Sequence, residues 1–162
     1  MGSTARACFF DASALVKVYA TEDGSDLVKP FFRSEPTKYT TPFCFYETLT
    51  ALKAKWMYRK ELTQEQYSSA CLSLTAWYGA SSRQIKDIDF TSYQSMPMLR
   101  DIIGKYQIDA SDAFQIISVK AGYFSPLARD SQTVFVTADK RLSEVAKQEG
   151  LRTWFVFGGP SP

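Results

Sequence analysis

Four acidic residues stand at positions where acids can do chemistry. Asp11 directly follows the apolar run Cys8-Phe9-Phe10, and Asp139 follows Val134-Phe135-Val136-Thr137-Ala138. Ligand sites of open parallel α/β sheets lie beyond the carboxyl ends of strands, so two such runs would deliver both acids to one edge. Each aspartate could equally cap the helix that follows it, where an acid is favourable. Glu47 lies in Phe43-Cys44-Phe45-Tyr46-Glu47-Thr48-Leu49. A charge among such neighbours is expected to be withdrawn from water and partnered, because buried acids are rarely left alone; the plainer alternative is an exposed helix position. Asp112 opens a helix from Ser111 to Ala121, with Asp109 one turn earlier. Asp109 can be the cap and Asp112 a ligand, or both can approach a metal. Asp112 is favoured because it precedes Ala113-Phe114-Gln115-Ile116-Ile117. Converging carboxylates repel one another and raise each other's pKa. Magnesium or manganese would relieve that repulsion, since hard cations take oxygen ligands. Such a site can activate water and stabilise the leaving oxygen in phosphodiester cleavage.

Composition narrows the alternatives. The chain of 162 residues has no histidine, which excludes histidine-based nucleophile activation, a histidine general base and every His-ligated zinc site. Cys8, Cys44 and Cys71 are odd in number and unpaired in spacing, so no disulfide framework is expected. The net charge of +2 does not by itself indicate a nucleic-acid partner, although basic residues can gather locally around an acidic centre. Apolar residues make up 45% and charged residues 22%, as in globular domains. One domain over 1–162 is expected, with an ordered core of about 7–157. No run is long enough for a membrane span and no signal-peptide pattern opens the chain, so the expectation is a cytoplasmic protein.

The elements that must position these acids follow from periodicity. Strands are expected at Cys8–Phe10, Lys38–Thr41, Thr133–Thr137 and Trp154–Phe157, with a weaker one over Ile85–Phe90. Helices are expected over Ala12–Tyr19, Asp26–Arg33, Pro42 to about Lys60, Thr63 to about Tyr78, Thr91–Tyr106, Ser111–Ala121 and Lys140–Glu149. Pro42 suits a first helical turn. Leu49, Leu52 and Trp56 form an apolar stripe. Thr63 with Gln66 forms a capping box, and Gly150 takes the position after a helix end. Residues Gly122–Ser131 read as a loop. The alternation of strands and helices predicts an α/β fold, a three-layer α/β/α sandwich around a mostly parallel sheet.

Four segments, Phe9-Phe10-Asp11-Ala12-Ser13-Ala14-Leu15-Val16-Lys17, Tyr46-Glu47-Thr48-Leu49-Thr50-Ala51-Leu52, Ser111-Asp112-Ala113-Phe114-Gln115-Ile116 and Val136-Thr137-Ala138-Asp139-Lys140-Arg141-Leu142, occur in order. Together they resemble the PIN-domain family, especially the VapC-type toxins of toxin–antitoxin pairs, over about Ala7 to Phe157. The resemblance implies that Asp11, Glu47, Asp112 and Asp139 are the catalytic, metal-binding set. Ser13, Thr137 and Asp109 would then stand just behind it, the two hydroxyls bonding ligands or water. It also implies magnesium- or manganese-dependent endonucleolytic cleavage of RNA, a homodimer and a protein antitoxin. Added length in Glu61–Tyr106 and Tyr123–Ser131 departs from a compact toxin.

Lys17, Lys53, Lys55, Arg59, Lys140 and Arg141 are candidates to meet RNA phosphates, against the plainer reading of ordinary surface charges. Most tyrosines and tryptophans are expected in the core, although aromatics can stack on bases. A haloacid-dehalogenase-like phosphatase also places an aspartate after its first strand, but its pattern wants a second two residues on, where this chain has Ser13. A non-toxin RNA-processing nuclease and a non-catalytic PIN-like module that binds RNA or protein are the remaining alternatives.

Overall fold

The computed structural model describes residues 6–82, 88–89 and 91–162. Its centre is a sheet of four parallel strands in the order β2-β1-β3-β4. Strand β1 (Ala7–Phe10) and strand β3 (Thr133–Thr137) are buried along their whole lengths. Both are continuous apolar or β-branched runs rather than alternating ones, as strands covered on both faces should be. Phe9 stacks on Phe135 across this central pair, with ring centroids 5.0 Å apart. The outer strands β2 (Lys38–Tyr39) and β4 (Thr153–Phe155) are short.

Helices α1 (Ala12–Tyr19) and α2 (Ser25–Ser34) connect β1 to β2, and α8 (Lys140–Gln148) connects β3 to β4. The two crossovers run in opposite directions along the sheet. Right-handed connections therefore place them on opposite faces, and the fold is a three-layer α/β/α sandwich. Between β2 and β3 lie α3 (Pro42–Met57), α4 (Gln64–Trp77), a π-helical turn (Tyr78–Ser82), α5 (Ser95–Tyr106), α6 (Ala110–Ala121) and α7 (Ser125–Arg129). Helices α3 and α4 pack on α1 around a second apolar cluster, Val16, Ala20, Leu52, Ala70 and Leu74. Helices α5 and α6 pack together and are tied to α8 by Lys105 and Lys120, which both bond Glu149.

Several expectations are met closely. Helix α1 has the expected bounds, and the Thr63–Gln66 capping box forms with both reciprocal bonds. Gly150 adopts φ +83 after α8, a conformation that favours glycine. Gly24 has φ +82, and a Cβ there would meet the Phe157 ring at 3.0 Å.

Others are corrected. The expected loop over Gly122–Ser131 contains α7, whose Pro126 sits in the first turn where its missing N–H costs nothing. Helix α5 starts at Ser95 rather than Thr91, because Asp89 accepts from both the backbone and the hydroxyl of Thr91 and bends the chain into a turn. Strand β4 ends at Phe155, where the Gly158 amide folds back onto the Phe155 carbonyl. The buried stripe of α3 is Cys44, Thr48, Leu52 and Lys55, rotated from the one centred on Leu49, Leu52 and Trp56. The strand expected over Ile85–Phe90 lies largely outside the described residues. Among the described residues no helix is long and apolar enough to cross a membrane.

Candidate active site

Strands β1 and β3 are neighbours, yet the chain leaves β1 toward β2 and leaves β3 toward β4. A crevice opens at such a reversal, beyond the carboxyl ends of the two strands. Asp11 and Asp139 emerge there. Asp11 caps α1 through Oδ1, which accepts from the Ala14 amide at 2.8 Å. Asp139 caps α8 in the same way, accepting from the Leu142 amide at 2.9 Å. Both acids therefore cap the helices that follow them.

Capping does not exhaust Asp11. Its carboxylate, 3% exposed, also accepts from the hydroxyls of Ser13 and Thr137. Those hydroxyls are fixed in turn. The Ala138 amide donates to Ser13 Oγ at 2.8 Å, and the Asp139 amide donates to Thr137 Oγ1 at 2.9 Å. The result is a web that joins the ends of β1 and β3. Burial pushes the Asp11 carboxyl up to about 6; the bonds from Thr137, Ala14 and Ser13 oppose it, and the charge of Asp139 adds to it. Ser13 and Thr137 thus both act on Asp11 directly.

Glu47 comes from α3, whose start is set by Thr41 capping the Cys44 amide and by Pro42 in the first turn. Glu47 is exposed, so the expectation that its apolar neighbours withdraw it from water is corrected. Cys44 and Thr48 turn inward, and residues 100° around the helix turn outward. Its partner is Ser111, whose hydroxyl donates to Glu47 Oε1 at 2.6 Å. Ser111, in the first turn of α6, thereby ties α6 to α3. Asp109 holds the N-cap position of α6 with extended backbone, but its side chain makes no capping bond.

Asp112 lies in the first turn of α6 and is half-buried. Burial, then the charges of Asp139, Glu47 and Asp109, raise its carboxyl to about 6. Asp139 therefore acts on both Asp11 and Asp112, and Glu47 and Asp109 also act on Asp112. Gln115, one turn on and buried, points its Nε2 at Asp112 Oδ1 across 3.4 Å, while its Oε1 has no hydrogen-bond partner. No feature of the sequence singled out Gln115 beyond a polar residue inside an apolar run.

Among the described residues no three acidic or thiol side chains stand close enough together to hold a metal ion as they are. The donor chemistry nevertheless fits a hard divalent cation. Every group is a carboxylate or hydroxyl oxygen, and the charges of Asp139, Glu47 and Asp109, which add to burial in raising Asp112, are of the kind a cation offsets.

The basic candidates divide. Lys17 and Lys55 are buried and share Glu22, at 2.7 and 2.6 Å, and Lys55 also bonds Glu61. Their stems fill the packing between α1 and α3, so they are corrected from phosphate contacts to internal ion pairs. Arg141 donates to the Tyr106 carbonyl at 2.7 Å and links α8 to the end of α5. Lys53, Arg59 and Lys140 are exposed. A groove of about 670 Å³ between α1, α2 and α4, with Tyr19, Phe32, Lys29, Arg33, Glu61 and Glu65 among its lining, includes none of the four acids.

No protein-family model matches this chain, and no curated protein matches it.

Proposed function

We propose that this chain is a PIN-like, magnesium- or manganese-dependent endoribonuclease that hydrolyses RNA phosphodiester bonds, with Asp11, Glu47, Asp112 and Asp139 as its acidic set. The observation that carries the reading is the placement of Asp139, whose charge bears on Asp11 at the end of β1 and on Asp112 at the start of α6. In the resting chain Asp11 is held rigid by two hydroxyls and an amide, and Asp139 keeps one oxygen on the Leu142 amide. Asp112 and Glu47 approach from α6 and α3, two helices tied by the Ser111–Glu47 bond. These four residues would hold the cation. Bound there, it would offset their charge, draw phosphate oxygens in and favour ionisation of water beside them. Water then adds to phosphorus, one P–O ester bond breaks, and the departing oxygen takes a proton.

The finer reading is the toxin of a cytoplasmic toxin–antitoxin pair, acting as a homodimer and silenced by a protein antitoxin; it rests on the four segments that resemble VapC-type toxins. The general RNA-processing nuclease differs from it in one readout. Growth arrest on expression, relieved by a small co-encoded protein, favours the toxin.

The test is cleavage of structured and single-stranded RNAs with magnesium, with manganese and with EDTA, wild type against Asp112→Asn. Metal-dependent cutting lost in the variant supports the assignment. No cutting by a folded, metal-supplied wild type overturns it in favour of a second reading, a PIN-like module that holds RNA or protein without cleaving. That second reading is favoured by one observation: the carboxylates are not gathered at ligand distance.

A further inference from the structure

Among the exposed tyrosines, one is the chain neighbour of an acid of the proposed set. Tyr46 immediately precedes Glu47 on α3 and is 65% exposed. Large aromatic side chains usually bury their rings. This one is exposed yet not loose: it lies edge-on to Phe45, with centroids 5.3 Å apart. Phe45 in turn stacks on Tyr78 at 4.5 Å and 26°. Tyr78 opens the π-helical turn after α4, and Phe45 packs against the apolar cluster between α1, α3 and α4. The ring is thus the outer member of an aromatic ladder rooted in the fold. One turn earlier, Phe43 meets Phe114 of α6 at 5.2 Å, close to Asp112 in the chain. The first turns of α3 therefore carry Glu47 and, next to it in the chain, an exposed ring braced from behind.

We propose that Tyr46 is a stacking platform for an unpaired nucleobase of the RNA strand whose backbone lies at the carboxylates. The inference rests on the nuclease reading above and deepens it by naming the residue that meets a base of the substrate. Bases within a duplex hide their faces against their neighbours, so an exposed ring can engage only a base that is splayed out. Stacking is tolerant of base identity because every base has a π-face. At this position the enzyme selects for an unpaired base rather than for a particular one. An exposed ring braced from behind loses little freedom on binding, which suits it to the task.

The test is the affinity of full-length protein for a fluorescein-labelled single-stranded RNA, read by anisotropy with calcium in place of magnesium. Tyr46→Ala is expected to weaken binding about tenfold, Tyr46→Phe to retain it, and Tyr93→Ala, which removes another exposed tyrosine, to change nothing. Abasic nucleotides placed in turn along the RNA should identify one position whose loss weakens the wild type and leaves Tyr46→Ala unaffected. Equal affinity of wild type and Tyr46→Ala, in a wild type that does bind RNA, overturns this inference alone. A change of oligomeric state in Tyr46→Ala with RNA affinity intact assigns the ring to a protein contact and overturns it too. Failure of the wild type to bind any RNA overturns the nuclease reading and this inference with it.

Discussion

Thr137, the last residue of β3, donates its hydroxyl to Asp11, the first residue after β1 and 126 positions earlier in the chain. The same oxygen accepts the Asp139 amide, so one hydroxyl orients one acid and fixes the backbone of another. Removing it should be felt in stability and in chemistry. Thr137→Val is isosteric but leaves a buried carboxylate short of a donor, which costs roughly 2 kcal/mol. It also removes the largest influence that holds the Asp11 carboxyl down. Chemical denaturation and the pH dependence of cleavage check both parts: lower stability, and an acid limb moved to higher pH. An unmoved acid limb would detach Thr137 from the chemistry.

Asp11→Asn, Asp112→Asn and Asp139→Asn should each nearly abolish cleavage, and full activity in all three would sink the site. Asp112→Asn should also stabilise the protein at neutral pH. Its carboxyl is raised to about 6 from an ordinary value near 4. The folded state thus holds its proton more tightly than the unfolded state. That contribution to stability is present below about pH 4 and is lost as pH rises through about 6. The asparagine has no charge to bury or to be repelled, so thermal melts at pH 7 should shift upward while those at pH 4 change little.

Metal affinity should follow the same titration. A cation needs Asp11 and Asp112 ionised, and both carboxyls are pushed up to about 6. Activation by magnesium should therefore require more metal as pH falls from 7 to 5, and saturating metal should move the acid limb of cleavage to lower pH. A half-saturating magnesium concentration independent of pH across that range would contradict ligation by these two acids.

Glu149 behaves in the opposite sense. Burial raises its carboxyl, but the bonds from Lys120, Tyr106 and Lys105 outweigh burial and hold it near 2. The stability it supplies is present above the ordinary value near 4.5 and is lost as pH falls toward 2. Because the lysines are open to solvent, the clamp contributes only about 1 kcal/mol. Glu149→Gln should lower the melting temperature modestly at pH 7 and leave acid unfolding between pH 4.5 and 2 less steep, with cleavage unaffected.

Glu22 neutralises two buried lysines at once. Glu22→Gln leaves buried Lys17 without a carboxylate and Lys55 with Glu61 alone, at a cost of about 3 kcal/mol. Since neither lysine faces solvent, Lys55→Met should leave the salt dependence of RNA binding unchanged, whereas Lys140→Ala should reduce its slope. Equal slopes for wild type and both variants would remove Lys140 from the phosphate path.

Much of this molecule is legible in one dimension. Continuous apolar runs mark β1 and β3, because strands buried on both faces need no polar alternation. Asp11 and Asp139 announce themselves by following those runs, and Thr63, Gln66 and Gly150 mark helix ends through bonds made within a few residues. Local hydrogen bonding and local pattern determine such features, so sequence alone suffices for them. Other features required the fold. The strand order that sets β1 beside β3 brings Thr137 to Asp11, and nothing near either residue encodes a bond across 126 positions. The rotation of α3 is set by packing on α1 and α4, which turns Glu47 outward to meet Ser111 and turns Lys55 inward to meet Glu22. Helical periodicity names the candidate faces, but only the neighbouring helices choose between them, and that choice separates an exposed acid from a buried lysine eight residues later.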